Sequence, residues 1–296
     1  MPFILSTETV ADLTKDYLDQ HDIPTIAYHY LIDGKEYKDD FGETLSIKSF
    51  YSAMAKGSIT HTSQVSTGEY LDYFRPFLEK GMDVLHVCLS SGLSGSYHSA
   101  CLIANQLMEE FPKRKIYVLD SLNATIGIGF LVHQLVLKRD SGFNIDELFE
   151  YGKQIRYNIG AWFFSGDLTY FIRGGRISKT SGMIGNMLHI EPLMAVNQEG
   201  KLVVRKKIRG KKKTMAMTLE MIKKYGSPVM EDVMIANAMC LDDAQMLGEM
   251  IQKEYPNVKI HHVDIGTTIG SHTGPGTTAC FFLGEDRRKV DADFSN

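Results

Sequence analysis

Hydroxyl, imidazole and guanidinium side chains in a few short clusters carry the chemistry this sequence offers. The first cluster is Ser90-Ser91-Gly92-Leu93-Ser94-Gly95-Ser96, which follows the apolar run 84–89 and precedes a helical pattern. A small-residue loop leading from a strand into a helix leaves backbone N–H groups unpaired and aimed at an anion. No lysine or arginine interrupts the loop, so hydroxyl and N–H donors would hold a carboxylate here. Serine and glycine also populate plain turns. Gly92-Leu93-Ser94-Gly95-Ser96 approaches a GxSxG nucleophile elbow, and the late His272 fits a Ser…Asp…His order. Ser96 stands where that motif needs glycine, and no HGGG-type segment lies upstream. A serine-dependent small-molecule hydrolase using Ser94 and His272 is the alternative this leaves open.

His61-Thr62-Ser63-Gln64 sits in a polar break; if the fold brings Thr62 beside Ser94, two hydroxyls can grip both oxygens of a carboxylate. His272 lies among Gly266, Gly270, Gly274 and Gly276, a setting for close backbone approach and a donor to a bound anion. No His or Cys stands at ligand spacing from it, so no metal site is expected. Arg173-Gly174-Gly175-Arg176 reads either as a helix C-cap with flanking cations or as a phosphate or partner contact. Arg205, Lys206, Lys207, Arg209, Lys211, Lys212 and Lys213 form a basic run; it reads as a solvated strand end and helix start, or as a transient contact with an anionic membrane. Residues 183–188, with Met183 and Met187, supply flexible apolar side chains for core or for a cavity wall.

The elements that must position these groups follow from periodicity. Strands are expected at residues 3–6, 24–31, 83–89 and 115–119, and helices at 10–20, 66–78, 96–110, 123–138 and 144–156. Ser66 and Glu69 make a capping box, and Asp33-Gly34 a turn. Strands alternating with helices of this length imply a parallel sheet covered on both faces. Beyond residue 160, a hairpin (192–196 and 201–207), a helix at 211–225, strands at 232–237, 258–263 and 277–283 and a helix at 242–254 indicate a second α/β unit. The charged tail, 285–296, lacks apolar periodicity and is expected to fray.

The chain has 296 residues and a net charge of −4, which argues against a general nucleic-acid binder. Its four cysteines are dispersed with no CxxC pair, and neither a signal peptide nor a membrane-spanning run is visible. A soluble protein of a reducing cytoplasm is expected.

Taken in order, Thr62-Ser63-Gln64, Ser91 through Ser96, Leu168 through Ile177 and Gly270 through Gly276 resemble the DegV family of bacterial fatty-acid-binding proteins over residues 3–284. The resemblance implies two α/β domains, with parallel and mixed sheets flanked by helices and a lipid tunnel between them. Residues 1–160 would carry the Ser/Thr carboxylate site, residues 161–284 the hairpin and the His/Gly loop, and residues 285–296 a flexible tail. It places Thr62, Ser94 and Gly95 at the carboxylate of a long-chain fatty acid, with His272 assisting. It implies a carrier with no catalytic residue of its own and no cofactor beyond the bound acid. Its partner would be an ATP-dependent fatty acid kinase subunit that makes acyl-phosphate for phospholipid metabolism, met through Arg173 and Arg176. The chain departs from the family at Thr7-Glu8-Thr9, where Asp-Ser is frequent, and at Glu191, where lysine is.

Overall fold

In the computed structural model, which describes residues 2–178 and 190–294, β1 (Phe3–Glu8) enters the core and buries its last four residues. The helix expected over residues 10–20 is split. Thr9–Ala11 forms a single 3-10 turn, Asp12 takes φ 51°, and α1 (Lys15–Gln20) starts afresh on the Thr14 side-chain cap. Asp12 breaks the helix because its carboxylate is engaged elsewhere, accepting from Gly266 N–H at 3.1 Å and from the Thr125 hydroxyl. The strand expected at 24–31 also divides. β2 (Thr25–Ile26) pairs in parallel with β1, whereas β3 (His29–Ile32) turns through Asp33 and Gly34, at φ 51° and 81°, into β4 (Lys35–Lys38). Two positive φ values match a hairpin turn whose twist suits the flanking strands.

α2 (Ile47–Ala55) leads to β5 (Thr60–Ser63), which completes a small antiparallel sheet of order β4-β3-β5. α3 (Thr67–Glu79) opens with the expected capping box: Ser66 Oγ accepts from Glu69 N–H, and the Glu69 carboxylate accepts from Ser66 N–H. The fully buried β6 (Asp83–Cys88), α4 (Ser96–Glu110), β7 (Ile116–Asp120), α5 (Ile126–Asp140) and α6 (Ile145–Ile155) follow. β2-β1-β6-β7 is the parallel sheet expected from the alternation.

β8 (Ile159–Phe164) and the short α7 (Thr169–Arg173) precede the hairpin of β9 (Ile190–Val196) and β10 (Leu202–Arg209). Then come α8 (Lys211–Tyr225), β11 (Asp232–Asn237), α9 (Leu241–Glu254), β12 (Lys259–Asp264), α10 (Thr267–Thr273) and β13 (Thr278–Leu283). The second sheet, β10-β9-β8-β13-β11-β12, is mixed: β11 and β12 run in parallel, and β13 is antiparallel to both of its neighbours. The segment around His272 is therefore a helix and not a loop. α5 is buried on nearly every side, as a helix apolar all round must be. It packs on β6 of the parallel sheet and on β8, β11 and β13 of the mixed one, so one helix serves two sheets. Among the described residues no helix is long and apolar enough to cross a membrane. Residues 183–188 lie outside the described residues.

The tail does not fray as expected. α11 (Arg287–Asp293) is capped by Asp286 and buries Arg287 to 2% exposure. The Arg287 guanidinium donates to the carbonyls of Leu122 (2.8 Å), Asn197 (3.2 Å) and Arg156 (2.8 Å). Charge composition hid this anchor, because its energy comes from charge-assisted hydrogen bonds and not from an apolar stripe. Arg287→Met is expected to cost about 3 kcal/mol or more by stranding the Leu122 and Arg156 carbonyls, the Asn197 carbonyl keeping its bond from Gly200 N–H. Denaturant unfolding checks this, and a loss below about 0.5 kcal/mol would show the anchor to be idle.

Candidate functional site

The serine loop has four hydroxyls, and the fold uses three of them on itself. Ser90 Oγ donates to the Gly200 carbonyl at 2.8 Å, at the tip of the β9–β10 hairpin. Ser91 Oγ lies 2.5 Å from the Asp120 carboxylate and donates to it, and Ser91 N–H donates to the same group. Ser96 Oγ is 2.9 Å from the hydroxyl of Tyr70 on α3. Ser94 remains. Its oxygen accepts from Ser96 N–H (3.2 Å) and from the Tyr28 hydroxyl (3.4 Å). With both lone pairs engaged, the Ser94 proton is left for whatever occupies the space beside it.

That space is a cavity of about 400 Å³. Tyr28, Thr62, Ser94, Gly95, Arg176 and His272 contribute its polar lining, and Leu89, Phe163, Phe171, Val196, Ile265 and Phe281 are among its apolar walls. Its volume lies within the roughly 300–1,000 Å³ typical of small-molecule sites. Gly95 is the N-cap of the 15-residue α4 and supplies no side-chain cap, so the positive end of that helix meets the cavity. The Thr62 and Ser94 segments touch: a Cβ on Gly95 would lie 2.3 Å from Gln64 Oε1.

Thr62 is placed by β5, whose register pairs it with Tyr30. α10 is held against the same small sheet by Thr60 Oγ1 donating to the Ser271 carbonyl (3.3 Å), and Tyr51 Oη of α2 donates to the Ile265 carbonyl just ahead of it (3.0 Å). Gly270 permits this approach, since a Cβ there would meet Tyr51 Oη at 2.4 Å. The result sets His272 Nε2 2.7 Å from Thr62 Oγ1. The other ring nitrogen faces the backbone of Gly174, where an added Cβ would fall 2.2 Å away, and it has no hydrogen-bond partner among the described residues. Burial, reinforced by the positive charges of Arg176 and Arg173, pushes His272 down to about 3. The ring is neutral, and in its Nε2–H tautomer it donates to Thr62 and frees the Thr62 proton for a ligand.

This geometry does not form the triad that a Ser94–His272 hydrolase would use. A triad needs the base on the nucleophile and an acid on the base. Here His272 engages Thr62, Ser94 engages Tyr28, and among the described residues no acid orients His272 Nδ1. The two arginines part company. Arg176 lines the cavity and donates to the carbonyls of Leu93 (3.1 Å) and Gly174 (2.5 Å). Arg173 is exposed at the C-terminus of α7, 5.0 Å over the Tyr170 ring. The basic run is partly consumed: Arg205 pairs with Asp291, Lys211 with Asp243, and Lys206 reaches Met217. Lys207, Arg209, Lys212 and Lys213 are exposed. Sequence reasoning missed Tyr28, which reads as one more apolar residue in a strand. It also missed the buried group of Glu8, His86 and Cys88, whose ligating atoms lie within 4.8 Å of one another. Leu89 N–H and the Tyr70 hydroxyl already occupy Glu8, and no metal is assigned there.

His86 is likewise pushed down to about 3 by burial. Unfolding returns His86 and His272 to the ordinary value of 6.5. A histidine lowered on folding leaves stability intact above its unfolded value and removes it as pH falls toward the folded one. Each ring should therefore cost roughly 2 kcal/mol on going from about pH 7 to about pH 5. His272→Gln should remove one of these two contributions. Denaturant unfolding across that interval checks it, and a slope identical to that of the unmodified protein would contradict a buried neutral His272.

Comparison with known proteins agrees with this architecture. The family model for the DegV family of uncharacterised proteins matches residues 3–285. A DegV domain-containing protein of Clostridium perfringens is 35% identical over 286 residues, covering 96% of this chain and 98% of that one. One from Lactococcus lactis is 33% identical over 290 residues, covering 98% and 100%. Among solved structures, a fatty acid binding DegV family protein from Streptococcus agalactiae superposes with TM-score 0.83 at 27% identity, covering 96% of this chain and 99% of that one. A DegV lipid binding protein from Thermotoga maritima gives 0.83 at 25% identity, covering 97% and 100%. With a family match over nearly its whole length, relatives above 30% identity and the same mixed α/β architecture, this chain belongs to the DegV family.

Proposed function

We propose that this protein binds one long-chain fatty acid, its carboxylate against Thr62, Ser94 and the start of α4 and its tail along the apolar walls. The observation that carries the reading is the Ser94 hydroxyl, whose oxygen is saturated by Tyr28 and Ser96 so that its proton is offered to the cavity. Thr62, backed by a neutral His272, makes a second such donor. The fatty acid binding attributed to the Streptococcus agalactiae relative supports the same ligand class. Burying a C16 tail removes about fourteen methylenes from water, a gross gain of roughly 11 kcal/mol. Hydroxyl bonds add about 0.5–3 kcal/mol each. The tail supplies the affinity, and the polar cluster fixes which end goes where.

The bound acid is then a substrate held for another protein. An ATP-dependent fatty acid kinase subunit phosphorylates the carboxylate to acyl-phosphate; the exposure of Arg173 beside the His272 helix supports its choice as the contact, with Arg176 serving the phosphate. Exchange with membrane uses the exposed Lys207, Arg209, Lys212 and Lys213. The domain division near residue 160 belongs to the same reading: the head-group donors Thr62 and Ser94 lie before it, and His272, which backs Thr62, lies after it.

Native mass spectrometry of the purified protein should find one co-purified fatty acid. Thr62→Ala with Ser94→Ala should reduce acyl-phosphate formation by at least about tenfold while retaining most of the lipid; undiminished phosphorylation would refute the head-group assignment. Transfer from vesicles should be faster with anionic lipid and slow as salt rises above about 0.15 M. A rate indifferent to both would remove the basic run from the mechanism.

A further inference from the structure

The floor of the cavity is graded along one strand. Thr277, just ahead of β13, and Ala279 and Phe281 within it all line the cavity, as alternate residues on one face of a strand do. Thr277 marks the head-group end, because its hydroxyl donates to the carbonyl of Thr273, beside His272, at 3.1 Å. Phe281 stands further along the chain, about 13 Å from Thr277 at the rise of a strand. Register places Ala236 and Phe163 beside Ala279, and Met234 and Ala161 beside Phe281. The floor therefore runs from small side chains near the polar cluster to a ring at its far end.

That ring has no slack behind it. Gly127 lies in the first turn of α5, shortly after Ala124 and Thr125 of the cavity wall. A methyl added at Gly127 would fall 2.6 Å from Phe281 Cε1 and 2.7 Å from Cδ1, where favourable carbon–carbon contact needs about 3.5 Å or more. The ring fills the space between α5 and the cavity, and the missing side chain at 127 lets it lie so far back. Phe282 points to the opposite face, where its ring is 2.8 Å from a Cβ added at Gly160. An aliphatic tail gains about fourfold in affinity for each methylene it buries. The gain ends where the chain meets a side chain that cannot yield, because overpacking is itself unfavourable.

We propose that Phe281, set back by Gly127, is the stop that fixes the longest acyl chain the cavity accepts. Phe281 is the specificity-determining contact, and Gly127 is a positioning residue that acts through it. This role rests on the fatty-acid reading above. The two positions then act with opposite signs. Removing the ring lengthens the accepted chain, whereas a methyl at 127 drives the ring into the cavity and shortens it. Loss of packing alone would weaken every chain alike.

Delipidated protein is offered an equimolar mixture of saturated acids from about C10 to C20, and native mass spectrometry reads which are retained. In the unmodified protein retention should rise about fourfold per added methylene up to a limit and then stop rising. Phe281→Ala should move that limit up by about two carbons or more, into the space the ring leaves, and Gly127→Ala should move it down. Phe282→Ala, on the other face, should leave it in place. The proposal is overturned if Phe281→Ala leaves the limit where it was, if Gly127→Ala moves it upward or not at all, or if Phe282→Ala shifts it as far as Phe281→Ala. Retention that rises through the whole series in the unmodified protein overturns it too. Should either cavity variant fail to fold, Phe281→Leu and Phe281→Trp trim and enlarge the same side chain and must move the limit up and down in turn; an unchanged limit in both overturns the proposal. If the unmodified protein retains no acid of any length, the fatty-acid reading itself fails, and that outcome is separate from a misplaced stop.

Discussion

Removing a carboxylate from water is costly unless donors already wait for it, and under the proposed function this constraint organises the polar part of the molecule. A donor that waits in an apolar cavity must have its own lone pairs satisfied without having its proton taken. Ser94 and Thr62 meet that requirement in different ways, one through a backbone N–H and a tyrosine, the other through a neutral imidazole. Each depends on a partner distant in sequence that leaves the hydroxyl proton unspent. Ser90, Ser91 and Ser96 show the alternative: their partners Gly200, Asp120 and Tyr70 are distant too, but these hydroxyls are spent on holding the loop.

The same constraint explains the use of neutral groups. His272 lies near Arg173 and Arg176 and is kept uncharged, so the imidazole orients Thr62 without adding a charge that would itself need solvation. Arg176 spends donors on the Leu93 and Gly174 carbonyls, which fixes its guanidinium in the cavity wall. Under the proposed function, affinity is left to the apolar walls and discrimination to a few hydrogen bonds.

Much of the fold was legible because its signals are local. α4 and α8 begin and end where periodicity places them, the Ser66–Glu69 capping box forms, and the hairpin after Pro192 is present. The errors share one cause. Asp12 breaks a helical pattern to bind residues 125 and 266, and Arg287 turns a charged tail into an anchored helix through carbonyls far upstream. Thr62, Ser94 and His272 stood out because their residue types are unusual in their surroundings. Tyr28 and Glu8 did not, because a buried tyrosine or a strand-end acid acquires meaning only from what it faces.

The Arg287 anchor also bears on the order in which the molecule assembles. Its bond to Leu122 joins residues 165 apart in sequence, and such closures come late because chain entropy must be spent before the contact rewards it. Until that clasp fastens, the carbonyls of Leu122 and Arg156 lack the guanidinium that satisfies them. The loop beneath the hairpin tip is therefore completed by a residue close to the other end of the chain.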